Sequence, residues 1–216
     1  MRTFFLVAAL PFLLLVGCND SNDDGEGIVM ASGTITTEDG QQADVTLRKA
    51  FGFAVNGSAL VYMASNKGAT CDNVVEYISN ASLFDPADIL LSGHCNTIFK
   101  FKYEDTWDGL TFSEADIFSA LWSVSCGLGE GDFELENRDG EEDYYYSGTW
   151  WQGSPESHNT SITNVSDNIT LNFDMGPYLG YYIYEGLDDI TATGQVGGSV
   201  EAQRCPGLAQ TDLFSF

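Results

Sequence analysis

The chain has 216 residues, 32 of them acidic against 8 basic, for a formal net charge of −24 at pH 7. That balance excludes nucleic acid, because phosphate binding requires clustered Lys and Arg, and it excludes attraction to anionic lipid headgroups by the same sign argument. It does not describe a disordered chain, since 44% of residues are hydrophobic and 13% aromatic, far above what a solvating acidic tail carries.

Arg2 precedes an almost purely apolar run, Thr3 to Val16. A transmembrane helix needs roughly 20 apolar residues, so this run is too short to span a bilayer and has the length of a signal-peptide core. Leu15-Val16-Gly17-Cys18 then resembles the lipobox of bacterial lipoproteins. The resemblance implies cleavage before Cys18, a diacylglycerol on its thiol and an acyl group on its freed amine. Residues 1–17 are then removed, 18–29 form an acidic tether, and 30–216 form one all-β domain of a size that supports a single core. Each buried methylene contributes about 0.8 kcal/mol, so two or three chains hold the protein on a membrane. The resemblance also implies a Gram-negative outer membrane as destination, because Asn19 directly after the cysteine does not force inner-membrane retention. Asp20 weakens that implication. The plain alternative is an ordinary signal peptide cut nearby.

Cysteine arithmetic favours the lipobox. Cys18, Cys71, Cys95, Cys126 and Cys205 make an odd set. Lipidation of Cys18 leaves four, the number for two disulfides in an oxidising compartment. A competing eukaryotic origin is suggested by Asn-x-Ser/Thr triplets at Asn19, Asn56, Asn80, Asn159, Asn164 and Asn168, which would be glycan acceptors there.

The tether contains Asp20, Asn22, Asp24 and Gly25, the first half of a calcium loop. Ala31 stands where the bidentate Glu belongs, so calcium is a weak expectation and a solvated linker the stronger one. Strand signals follow. "SGTITT" leads through Glu38-Asp39-Gly40 into "ADVTLRKAFGFAVN", and Asn56-Gly57 predicts a hairpin turn into "ALVYMAS". "TIFKFKYED" alternates, with Phe99, Phe101 and Tyr103 opposite Lys100 and Lys102. "FSEADIFSALWSV" is the best helix candidate: Ser113 and Asp116 have capping spacing and Ile117, Phe118, Leu121 and Trp122 share a helical face, although strand alternation also fits. "DFELEN" and "EEDYYY" flank a turn at Arg138-Asp139-Gly140. "TSITNVSDNITLNFDM" and "YYIYEGLDDITATGQVGGSVEAQRC" supply further short strands. The sum is an all-β, antiparallel sandwich or barrel of about 8–10 strands with at most one short helix.

The stretches "AFGFAVNGSALVYMASNKGATC" and "GQVGGSVEAQRC" resemble a group of uncharacterised bacterial lipoproteins. That resemblance implies a β-sandwich, no known activity, and pairing of Cys71 with Cys205 that leaves Cys95 with Cys126. Pairing in chain order, Cys71 with Cys95 and Cys126 with Cys205, is the simplest competitor, and spacing does not choose between them.

Catalytic signals are sparse. The two histidines, His94 and His158, sit in no motif, and no nucleophile elbow, zinc helix or phosphate loop is present. His94-Cys95 has the residue types of a nucleophile pair, but an exported cysteine among three others reads as a disulfide partner. A carboxylate pair for glycoside chemistry has many candidates and no motif. The aromatic runs point instead to binding. Tyr144, Tyr146, Trp150, Trp151, Tyr182 and Tyr184, with Tyr145 and Tyr181 among them, are candidate ligand-stacking residues, since adjacent strand residues face opposite ways and one of each pair is free to face solvent. Cross-strand packing is the alternative. Gly148 and Trp150 also resemble the Gly-x-Trp of lipocalins, although they lie far downstream of the first strand, where that family carries it. The expected function is a lipid-anchored cell-envelope protein, non-enzymatic, binding carbohydrate or another envelope protein. A carrier of a hydrophobic ligand is the further alternative.

Overall fold

A computed structural model describes residues 28–55, 57–80, 95–103, 119–128, 133–138, 141–146, 149–163, 168–182 and 190–211. Its strands are β1 (Ala31–Thr37), β2 (Gln42–Leu47), β3 (Lys49–Val55), β4 (Ser58–Ala64), β5 (Cys95–Lys102) and β6 (Ser119–Leu128). A hairpin, β7 (Phe133–Arg138) and β8 (Glu141–Tyr146), comes next. There follow β9 (Thr149–Pro155), β10 (His158–Thr163), β11 (Ile169–Met175), β12 (Tyr178–Tyr182), β13 (Ile190–Thr193) and β14 (Val196–Arg204). Among the described residues one α-helix, α1 (Cys71–Asn80), lies between β4 and β5, and a 3₁₀ turn, Pro206–Gln210, follows β14.

The all-β expectation holds, with more segments than the 8–10 anticipated. Short breaks divide single long strands: β2 runs into β3, β9 into β10, β11 into β12 and β13 into β14. β9 and β10 keep one register against the β11–β12 strand, as do β13 and β14 against β1. Neighbours along the chain pair antiparallel from β3 through β6, β6 pairs with β9, and β12 bridges β9 and β13. Because β14 pairs with β1 on one stretch and, in parallel, with β3 on the next, the ladder closes on itself into a barrel. Closure removes the exposed edges that make open sheets aggregate, leaving β2 and β10 as the ends of the twelve-stranded order. β2 also approaches β5 and β6 across the interior, so the barrel is flattened and its walls face each other like the layers of a sandwich.

Alternation sorts the side chains into two cores. Inside lie Ile35, Val45, Leu47, Val61, Met63, Phe99, Phe101, Trp122, Val124, Trp151, Leu171, Phe173 and their neighbours. Phe99 stacks on Trp122 at 4.1 Å between ring centroids, and Phe173 meets the same indole from another strand at 5.2 Å. A second core forms on the outer face of β3, β4 and β5, where Phe51, Leu60, Tyr62 and Ile98 meet Val74 and Ile78 of α1 and Leu208 of the 3₁₀ turn.

Two disulfides serve the two cores. Cys71–Cys205 ties the first residue of α1 to the end of β14, and Cys95–Cys126 links directly opposed residues of β5 and β6 inside the barrel. This is the pairing the lipoprotein resemblance implied, and pairing in chain order is set aside.

The helix expectation is corrected. Ser119–Leu128 is strand β6, in register with both β5 and β9, and 104–118 lie outside the described residues. The helix is α1 instead, opened by a reciprocal cap: the Thr70 amide donates to Asn73 Oδ1 (2.8 Å) and the Asn73 amide to Thr70 Oγ1 (3.3 Å). The hairpin turns fare better. Val55 pairs with Ser58 around Gly57, whose φ of 72° fits the predicted Asn-Gly turn, and Arg138 pairs with Glu141.

Candidate functional site

The expected platform of outward tryptophans is absent where it was sought. Trp150, Trp151 and Tyr182 are 3%, 0% and 7% exposed. Trp151 points into the barrel, where its indole lies over Gly153 and Gly180 and meets Tyr178 edge-on at 6.0 Å. A β-carbon at either glycine would collide with that ring, so the two positions are what lets an indole lie flat against the inner wall. Trp150 faces the other way and is covered there too. Both sides of β9 are therefore packed at this point, which is why alternation alone does not leave one tryptophan exposed.

Tyr182 also turns inward. Its hydroxyl donates to the Asp39 carboxylate, 2.8 Å from each oxygen, and pins the β1–β2 turn to β12. Hydrogen bonds from Thr37 and then Tyr182 hold the Asp39 carboxyl below its ordinary range. Burial pushes the phenol of neighbouring Tyr178 well above its usual value, and its hydroxyl donates to the Met175 carbonyl at 2.8 Å. Tyr144 and Tyr146 stand on β8, opposite Leu135 and Phe133. Tyr184, His94, Cys18 and the Asp20–Gly25 segment lie outside the described residues. His158 packs near Trp122, 6.1 Å between rings, and Cys95 is disulfide-bonded, so its thiol is not available to a His94–Cys95 nucleophile pair.

What the structure assembles is a surface hollow of about 420 Å³ on the outer face of β6, β9 and β12. Its wall is made of Ser123, Gln152, Ser154, Glu156, Leu179 and Tyr181. Three of these side chains, Ser123, Gln152 and Tyr181, hold one another across three strands, and Ser154 is held by the backbone. Gln152 Nε2 donates to Ser123 Oγ at 3.1 Å, Tyr181 donates to Gln152 Oε1 at 3.3 Å, and Ser154 Oγ donates to the Trp122 carbonyl at 2.8 Å. Leu179 is 44% exposed and Leu121, earlier on the outer face of β6, is 55% exposed. Among the described residues, the one ionisable carboxyl on this wall, Glu156, is exposed.

Of the aromatic residues considered from sequence, Tyr181 is, among the described residues, the one that enters this hollow. Ser123, Gln152, Ser154 and Leu179 were not anticipated. The signal for them was present: in "WSVS" and "WQGS" the polar residues alternate with buried ones and so share one face. Reading the first of these as helix hid it.

Behind the hollow, the inner face of β6 and β9 carries two buried polar atoms without a hydrogen-bond partner, Trp122 Nε1 and Trp151 Nε1, and the neighbouring strand β5 carries a third, Thr97 Oγ1. Each costs about 1–3 kcal/mol relative to a satisfied group. Comparison with protein-family models, curated proteins and solved structures finds no match for this chain.

Proposed function

We propose that the chain is an exported lipoprotein, anchored through an acylated Cys18 to the outer membrane of a Gram-negative envelope, that acts as a non-enzymatic binding module. The observation that carries the anchor is the pairing of Cys71, Cys95, Cys126 and Cys205 with one another, which leaves Cys18 as the odd thiol. Two disulfides, one of them inside the barrel, suit an oxidising compartment, and the apolar run before Cys18 supplies the export signal. The binding role is supported by the hollow, whose hydrogen-bonding groups are held in place before any ligand arrives. Large aromatic side chains, among them Phe99, Phe101, Trp122, Trp151 and Phe173, lie in the barrel interior, which favours an outward-facing binding module over a carrier with an internal chamber.

Expression in a Gram-negative host with an alkyne fatty acid tests the anchor. Label on the wild-type chain and none on Cys18→Ala, with an N-terminal peptide whose mass is that of acylated Cys18, is the expected result. An unmodified mature N-terminus at any other residue removes the lipoprotein reading.

A further inference from the structure

We infer that the hollow on β6, β9 and β12 is a binding site for a neutral saccharide. The inference rests on the binding role proposed above, but not on acylation of Cys18. It begins from the hydrogen-bonding capacity left over after the internal network is made. Gln152 has spent one N–H on Ser123 and one lone pair on Tyr181, so it retains one donor and one acceptor. Ser123 keeps its hydroxyl proton, Tyr181 keeps an oxygen lone pair, and Ser154, its proton given to the Trp122 carbonyl, accepts. These four side chains thus present donors and acceptors side by side, none of them charged, while the carboxylate of Glu156 stays exposed at the rim. Sugar hydroxyls both donate and accept, and they match such a set without desolvating an ion.

Leu179, Leu121 and the Tyr181 ring add apolar surface on the same face, the complement of a pyranose C–H face. The volume lies at the small end of the range for ligand sites, roughly 300–1,000 Å³, and suits one or two sugar rings. Competing ligand classes fit less well. Anionic polymers meet a chain of charge −24 with Glu156 on the rim. An extended peptide seeks a free strand edge, yet β6, β9 and β12 are each paired on both sides, while the ladder's ends, β2 and β10, lie elsewhere.

The test is a titration of the full mature chain in a non-glycosidic detergent, beside the full Cys18→Ser chain in buffer. The probes are neutral oligosaccharides of glucose, mannose, galactose and N-acetylglucosamine, followed by NMR at the Gln152 side-chain amide and by tryptophan fluorescence. At least one oligosaccharide is expected to shift the Gln152 resonance saturably. Gln152→Ala and Tyr181→Ala are each expected to weaken binding roughly tenfold, and Tyr181→Phe, which keeps the ring, roughly threefold. Melting temperatures identify any variant that fails to fold; Ser123→Ala, which leaves the Tyr181–Gln152 bond in place, then serves as the substitute and should weaken binding by a smaller factor. If no saccharide moves Gln152, or if binding survives all of these substitutions unchanged, the inference is overturned. Shifts at Gln152 from a mixed-peptide probe and none from any sugar would overturn the saccharide class while leaving a binding module in place.

Discussion

In the barrel interior, Cys95 and Cys126 join two strands that the backbone ladder already pairs from end to end. In the outer patch, Cys71 and Cys205 join a helix to the last long strand, elements that share no ladder. Both regions bury aromatic and branched aliphatic side chains, but they depend on their staples differently. Inside, packing and main-chain hydrogen bonds define the geometry, and the disulfide is added to them. Outside, α1 is short enough that its own hydrogen bonds are marginal, and its attachment comes from Val74, Ile78 and the covalent link.

The largest expected effect separates the two staples. The loops they close span 134 and 31 residues of sequence, and the chain-entropy account assigns about 5 and about 3.7 kcal/mol to them. Cys71→Ala/Cys205→Ala is therefore expected to lose about 5 kcal/mol in guanidinium unfolding. Under native conditions a thiol reductant should open Cys71–Cys205 first, because Cys71 is partly exposed while Cys95 and Cys126 are fully buried. Mass mapping of the reduced cysteines reads the order, and equal rates would break the contrast between the regions.

Next comes packing. Trp151→Ala empties the wall over Gly153 and Gly180 and should cost about 3–5 kcal/mol. Val74→Ala, beneath α1, should cost about 2 kcal/mol. Equal losses would mean that the patch under α1 is as much a part of the cooperative core as the interior.

A smaller effect tests the end of the barrel. Tyr182→Phe removes a hydrogen bond worth about 1 kcal/mol and lets the Asp39 carboxyl rise toward its ordinary value. A folded value below the unfolded one gives stability that is present above the ordinary aspartate range and lost as pH falls through the folded value. The stability gap between wild type and Tyr182→Phe should therefore stand at neutral pH and narrow in acid below the ordinary value of 3.8. A gap that stays constant with pH would show that Asp39 is not coupled to the phenol.

The smallest effect has the opposite sign. Thr97→Val keeps the shape of a fully buried side chain and removes a hydroxyl without a partner, so it should stabilise by up to about 1 kcal/mol. Destabilisation in a thermal melt would mean that the hydroxyl is satisfied in solution.

Much of the fold is legible where a single strand carries its own rule. The alternation of Phe99 and Phe101 with Lys100 and Lys102 sends the rings inside and the lysines outside, as expected, although Lys100 is also covered, and burial, with Lys102 beside it, lowers its pKa. The Asn-Gly turn before β4 is equally local. The failures come where two periodicities compete. Ile117, Phe118, Leu121 and Trp122 satisfy a helical spacing, yet partners on both sides draw Ser119–Leu128 into the sheet, and Leu121 ends up 55% exposed. The candidate site shows the same limit: the alternation that makes Gln152 and Ser154 face-mates is written in the chain, but not that they meet Ser123 and Tyr181.

By itself, the sequence determined the strand-rich class, the strong negative charge, an even set of cysteines beyond Cys18 and the local turns, because composition and short-range backbone preference act within a few residues. Only the tertiary structure decided that the ladder closes, that Trp150 and Trp151 are both covered, and that the exposed hydrogen-bonding face is made by serines and a glutamine. What covers a strand's face comes from residues as distant in the chain as β1 is from β14, and no local pattern encodes that meeting.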